Sequence, residues 1–481
     1  MSNKLNRRPA CRLTIAAFLT MACSHAIAQW TFTTLRPPSP PLYDYSTAWD
    51  VNETSEFGGA IQSGVSFPAA KWSGTPASFE IVAESGMILG SHGNRMVGIR
   101  GVTTRDATLW IDGVPIDLTP GSATGYAWDV HGDTQVGSVN GLAALWHDTA
   151  ESLVSLHPAA LGSESEALAT FGDRQAGYAK AGFGPEKAIM WMGSAASATP
   201  MGPLGSSRSI IREMDENQQV GVVDDEAGFW TGTPESWTSL QPFPYVRSEA
   251  FGVAEAQQVG RAFNEFQFSK PILWHSSDTN YSILPHPGWH EGIALAVFDN
   301  GDVTRVVGSV SIDKGALVSA ALWVRENTLI APESINVVRG VIVGGGLPQL
   351  LASDDDRFIL RPGVTFSTAQ DPIELTVEAT SPRTTTPLLG FQVEWNCSSP
   401  AIRLTMELYN YATGVYDTVE THPSQTADMV QRVNATINAD DHIEPGTQAI
   451  KARIAFKATG PVFAYPWTAS IDRVRWILPG T

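Results

Sequence analysis

A tryptophan recurs seven times down the middle of the chain, each time closing the same kind of short phrase. The phrases are AAKW at Trp72, ATLW at Trp110, AALW at Trp146, AIMW at Trp191, AGFW at Trp230, PILW at Trp274 and AALW at Trp323, spaced by 38, 36, 45, 39, 44 and 49 residues. A period in this range marks a repeat architecture, in which each unit is too small to bury its apolar surface alone and must stack on its neighbours.

A glycine recurs upstream of each tryptophan, at Gly59, Gly98, Gly137, Gly177, Gly221, Gly260 and Gly308, within phrases such as EFGG, RMVG, TQVG and QQVG. A turn rich in Asn, Asp or Gly precedes most of these glycines, and a short apolar run precedes the turn. Each unit therefore holds four short apolar runs between turn residues, which reads as strands rather than helices. Four antiparallel strands in about 40 residues describe one propeller blade. Residues 45–332 predict about seven blades, with six or eight left open by the competition of two segments for the closing strand. The tryptophans are expected to fill the wedges between blades with their N–H on a carbonyl. The glycines are expected where another backbone passes closely. Trp30 to Pro37, WTFTTLRP, matches WTSLQP at Trp237 to Pro242, so the N-terminal segment is a candidate outer strand for the last blade. TLIAP at Thr328 to Pro332 competes for that place.

An alanine-containing strand, a D/N/G turn, V-V-G and then A-x-L-W together resemble the HAF repeats of exported bacterial proteins, over about Tyr45 to Pro332. The histidine that names those repeats is missing here. The resemblance implies an extracellular repeat protein with propeller-like units and brings no catalytic residues. WD and kelch repeats match less well: the pairs Trp49-Asp50 and Trp128-Asp129 sit in the first strand of a unit rather than closing a blade.

Residues 1–28 read as a secretory signal peptide: basic Lys4, Arg7, Arg8 and Arg12, an apolar run from Leu13 to Cys23, and Ala26-Ile27-Ala28 as the cleavage signal. Export to the periplasm, cell surface or medium is the expectation. The remaining chain would carry 27 basic against 49 acidic residues, a charge of −22. Such a surface repels nucleic acid and gathers divalent cations only loosely. Cys397 then stands alone, so no internal disulfide forms and stability must come from packing.

Beyond Glu333 the texture changes to longer strands with period-two alternation, as in Ile373, Leu375 and Val377 or Ile450, Ala452, Ile454 and Phe456. This predicts a half-buried antiparallel sheet and, with a second sheet, a sandwich of roughly eight strands over 333–481. The chain is thus read as all-β: signal peptide 1–28, propeller 29–332, sandwich 333–481.

Motifs for chemistry are absent. There is no G-x-S-x-G, H-E-x-x-H, C-x-x-C or phosphate loop, and Gly344 to Gly346 read as a turn. Asp354-Asp355-Asp356, the Asp129/His131/Asp133 set and the Asp299/Asn300/Asp302 set read as turn chemistry rather than calcium loops. No catalytic, cofactor or metal residue is nominated. Trp289, off the seven-fold position in a Pro-Gly-Trp-His loop, is the candidate for stacking on a sugar. Two functions follow. The first is an exported non-catalytic binding or structural protein, with the propeller presenting loops to a glycan, surface component or protein partner and the sandwich attaching to a surface or glycan. The alternative is a polysaccharide hydrolase or lyase at the propeller mouth, which convergent desolvated carboxylates there would favour.

Overall fold

The structure, a computed structural model, describes residues 30–38, 43–61, 67–101, 105–119, 121, 123–312, 317–424, 426–460 and 466–480; the expected signal peptide lies outside them. The described chain is built from strands and short 3-10 turns, as a seven-bladed propeller followed by an antiparallel sandwich. In blade 3 the strands Gly125–His131, Thr134–Val139, Leu142–His147 and Val154–Ser155 pair in chain order, and blades 1, 2, 4, 5 and 6 repeat this order.

The ring closes through the N-terminal segment. Thr31–Thr34 pairs with Leu317–Glu326 as the outer strand of blade 7, with Thr31 opposite Val324. Blade 1 begins beside it at Tyr45–Val51. The fully buried Glu56 of blade 1 is ion-paired with Arg305 of blade 7 across the closure. The competing segment Thr328–Ile330 pairs instead with Ala469–Leu478, the last strand of the sandwich.

Trp72, Trp110, Trp146, Trp191, Trp230, Trp274 and Trp323 are all among the largest fully buried side chains. Each packs in one of a series of small clusters, and most of these clusters join residues of adjacent blades: Trp191 meets Val136, Leu145 and Leu156 of the preceding blade. The expectation for the indole N–H needs correction. Trp323 donates to Pro285 O at 2.6 Å, but the N–H groups of Trp72, Trp146, Trp191, Trp230 and Trp274 are buried without a partner. Burying some 200 Å² of ring at ~25 cal/mol/Å² contributes about 5 kcal/mol, more than the roughly 1–3 kcal/mol an unpaired donor costs. Ring packing therefore decides where the indole sits.

A polar repeat fixes the edge of most blades. Gln135, Gln175, Gln219 and Gln258 are buried, and each accepts at 2.8 Å from the backbone N–H two residues beyond its blade's tryptophan. In blade 1 Glu56 does the same for Gly74 at 2.9 Å.

Among the described residues the sandwich has eleven strands rather than roughly eight, because Thr328–Ile330, Ser334–Arg339, Val341–Gly344 and Phe358–Arg361 also join its sheets, six strands on one and five on the other. One continuous core fills the space between them, with Trp395, Trp476, Phe391 and Phe456 at its centre. Cys397 lies in that core as a free thiol, and burial pushes its pKa up to about 12.

Candidate functional site

The first strand of every blade lines the channel and carries one extra residue. These residues are Trp49, Leu89, Trp128, Leu168, Arg212, Phe251 and Leu295, each at a β-bulge. The repeat glycine lies beside each bulge on the paired strand. A Cβ on Gly58, Gly98, Gly137, Gly177, Gly221, Gly260 or Gly308 would meet a carbonyl oxygen of the bulged strand at 1.8–2.0 Å. Glycine and bulge are one device: the ladder can kink only where its partner has no side chain. In the first unit that glycine is Gly58. Gly59, expected from the EFGG phrase, is one residue along, and a Cβ there would lie 3.2 Å from Pro68 O, a tight contact rather than an overlap.

A bulge re-aims side chains that strict alternation would send to opposite faces. Here it turns two consecutive residues toward the channel, as Trp49-Asp50, Leu89-Gly90 and Leu295-Ala296 do. The seven bulge residues themselves line one cavity of about 460 Å³ at the mouth. Trp49 and Trp128 are partly exposed there. Trp128 stacks on Tyr126 with centroids 5.3 Å apart and planes 3° from parallel, and Arg105 covers the far ring at 5.5 Å. The charged wall is mostly paired: Arg208 to Glu186 at 2.9 Å and Arg261 to Glu249 at 2.6 Å. Tyr178 and Ser138 donate to Glu166 at 3.0 and 3.4 Å.

Beneath the mouth a chamber of about 170 Å³ holds Asp50, Asp129 and Glu213, from blades 1, 3 and 5. The other blades place Gly90, Ala169, Gly252 and Ala296 at the same position, and small residues make room: a Cβ on Gly90 would come within 2.8 Å of Trp128 O and 3.3 Å of Asp129 Oδ1. Asp50 accepts from Val51 N at 2.8 Å and Ser91 Oγ at 2.6 Å; Asp129 accepts from Val130 N and Thr170 N, both at 2.7 Å; Glu213 accepts from Met214 N at 2.8 Å. Desolvation holds all three above the ordinary carboxylate range, Asp50 at about 6, and Asp129 and Glu213 are raised further by the neighbouring carboxylates. Among the described residues no three His, Cys, Asp or Glu side chains are placed to hold a metal ion.

The far end of the channel opens into a cleft of about 400 Å³ against the sandwich strands Val415–Pro423 and Met429–Ala435, and shares Phe171, Val253 and Val297 with the chamber. The sandwich is latched over blades 6 and 7. Arg432, 3% exposed, donates to Asp299, 1% exposed, at 2.9 Å; Asn434 reaches Glu255 at 3.0 Å; Arg475 pairs with Asp302. Burial beside Arg325 drives His275 down to about 3, so this histidine is neutral in the folded protein.

Trp289 is not brought to the mouth; it packs partly buried against the cluster around Trp323. Asp129 and Asp299 do more than shape turns, since one enters the channel and the other anchors the sandwich. Asp354, Asp355 and Asp356 form an exposed turn, with Asp355 paired to Arg357 at 2.5 Å. The mouth aromatics and chamber acids were missed as a site because they derive from units some 40 residues apart. The signal available was the dipeptide at one repeat position, AWDV in units 1 and 3 and IREM in unit 5.

No family model matches the sequence, and a search of curated proteins finds no match. Among solved structures the chain is similar to an exo-β-1,3-galactanase from Phanerochaete chrysosporium (9% identity, TM-score 0.26, covering 94% of this chain and all of the other). It is also similar to Trypanosoma rangeli sialidase in complex with sialic acid (8%, 0.31, covering 93% and 94%). A xylan-binding module, CBM15, matches 32% of this chain and 97% of its own at 17% identity and a TM-score of 0.19. These scores and identities are too low to carry over the role of any residue. No helix among the described residues is long and apolar enough to cross a membrane.

Proposed function

We propose that the protein is an exported, HAF-like glycan-binding protein whose site is the open mouth of the propeller, with the sandwich as its attachment module. The observation that carries this reading is the mouth itself: the rings of Trp49 and Trp128 in a cavity of about 460 Å³, beside fixed arginine–carboxylate pairs. Sugars present apolar C–H faces that settle on aromatic rings and hydroxyls that pair with such groups. The sandwich covers the opposite end, so the mouth is the side from which a chain-like ligand enters. Calorimetric titration with neutral and acidic oligosaccharides tests the reading. Trp49→Ala and Trp128→Ala are each expected to weaken binding by about tenfold or more, and Trp289→Ala to leave it unchanged. Undiminished affinity in the Trp49/Trp128 double variant would overturn the assignment.

A hydrolase or lyase is the second reading, favoured by one observation: Asp50, Asp129 and Glu213 share a chamber in which burial raises all three above the ordinary carboxylate range, the direction a general acid requires. Product release from the oligosaccharides that bind, abolished by Glu213→Gln or Asp129→Asn with binding retained, would select this reading. Binding without any turnover in the parent protein would remove it.

A further inference from the structure

Six of the seven bulge residues in the mouth are apolar, and the seventh is Arg212. Arg212 makes no hydrogen bond or ion pair to any described residue, and its Nε is buried without a partner. The carboxylates around it are already engaged. Arg208 holds Glu186, Arg261 holds Glu249, and Tyr178 with Ser138 holds Glu166. Glu213, the next residue, borders both the mouth and the chamber below and accepts from the N–H of Met214. A structural role for Arg212 would need compensation within the protein. Among the described residues that compensation is the Phe251 ring, 5.5 Å from the guanidinium carbon, and a longer-range attraction to Glu249 and Glu166, neither of which forms an ion pair with it, and desolvation outweighs them. A cation–π contact recovers only part of what withdrawing a guanidinium from water costs, so the ring does not offset it.

The remaining capacity of Arg212 is a planar fork of N–H donors facing a cavity walled by aromatic rings. A fork of this geometry takes a carboxylate through two parallel hydrogen bonds. Trp49 and Trp128 would hold the sugar ring that carries it. The protein's overall charge of −18 does not gather anions, so any preference for an acidic ligand must come from cations in the mouth, where Arg208 and Arg261 are paired with carboxylates and Arg212 is not. We propose that Arg212 receives the carboxylate of a uronate residue, so that the mouth selects acidic over neutral saccharides. This rests on the glycan-binding reading above and names its ligand class.

The test uses the full chain and trimers of galacturonate, glucuronate, mannuronate and guluronate, each titrated beside its methyl ester. The ester keeps the sugar and removes the charge. At least one acid should bind tenfold or more tightly than its ester. Arg212→Gln should reduce that ratio to near one with the ester affinity unchanged, and Arg212→Lys, which keeps charge but loses the fork, should retain part of it. Equal affinity for acid and ester in all four pairs, or a preference that survives Arg212→Gln, overturns the proposal while leaving neutral glycan binding standing. Failure to bind any acid, ester or neutral oligosaccharide overturns both readings together. Melting temperatures of the two variants confirm that each is folded.

Discussion

Two rings of side chains run around the propeller, one in the seams between blades and one in the channel, and they treat the repeat in opposite ways. The seam ring is uniform: seven tryptophans, all buried, most with N–H groups left unpaired. The channel ring is varied: Trp, Leu, Trp, Leu, Arg, Phe and Leu at the bulge, then Asp, Gly, Asp, Ala, Glu, Gly and Ala after it. The seam position solves the same packing problem seven times, so one residue serves. The channel position has its backbone fixed by the bulge and the glycine beside it, which frees the side chain to differ from blade to blade. A constant scaffold thus carries a non-repeating surface, which is what a ligand of low symmetry requires.

The glycine that links the two rings gives the largest effect. Gly221→Ala would place a Cβ 1.9 Å from Ile210 O, so the bulge at Arg212 could not persist. The expected loss is about 3 kcal/mol or more in denaturant unfolding, at the upper end of overpacking penalties. Gly59→Ala, one residue out of register with the device, should cost about 1 kcal/mol or less, since its nearest neighbour lies at 3.2 Å. Equal losses at the two sites would break the link between glycine and bulge.

The chamber gives the next effect, and its sign differs from ordinary acid denaturation. Burial raises the Glu213 pKa above its unfolded value, so the folded protein binds this proton more tightly than the unfolded chain does. Stability from this group is intact below the ordinary glutamate range and is lost as pH rises toward the folded pKa. Glu213→Gln keeps the acceptor for Met214 N–H and removes the titration. The variant should match the parent near pH 4 and gain on it by up to about 1.4 kcal/mol per pH unit above that. Taking the difference between the two proteins removes the opposing contribution of His275, whose depressed pKa favours the folded state at higher pH. A difference in melting temperature that is flat from pH 4 to 8 would show the carboxylate to be solvated.

What the sequence made legible follows the same division. The seam ring announces itself because one large residue recurs, and the closing strand Thr31–Thr34 is visible because WTFTTL echoes WTSL. The doubled glycine of EFGG hid the register in unit 1, since only coordinates tell which glycine faces the Thr47 carbonyl. The bulge left no mark of its own: an extra residue in a seven-residue strand looks like ordinary spacing variation. Trp49 and Trp128 were therefore read as strand residues, while Trp289, conspicuous in its loop, drew the functional assignment although it packs against the Trp323 cluster. Asp50, Asp129 and Glu213 meet only when the ring closes, so no window along the chain contains them.

The smallest effect separates scaffold from site most sharply. Arg212 occupies a scaffold position, so a reader of the fold alone would expect its removal to be neutral or harmful. It makes no hydrogen bond or close ion pair, and desolvation, outweighing its attraction to the more distant Glu249, lowers its pKa because the charged form is disfavoured there. Replacing this guanidinium removes a penalty larger than the long-range attraction it gives up, and breaks no hydrogen bond. Arg212→Gln should therefore raise stability, by about 1 kcal/mol at neutral pH, read from the denaturation midpoint. The same change at Arg261, which is held by Glu249 at 2.6 Å, should lower it, because a largely buried carboxylate would be left behind. If Arg212→Gln destabilised the protein as Arg261→Gln does, the guanidinium would be part of the structure's own pairing, and the varied channel ring would be another layer of packing rather than a surface kept for a ligand.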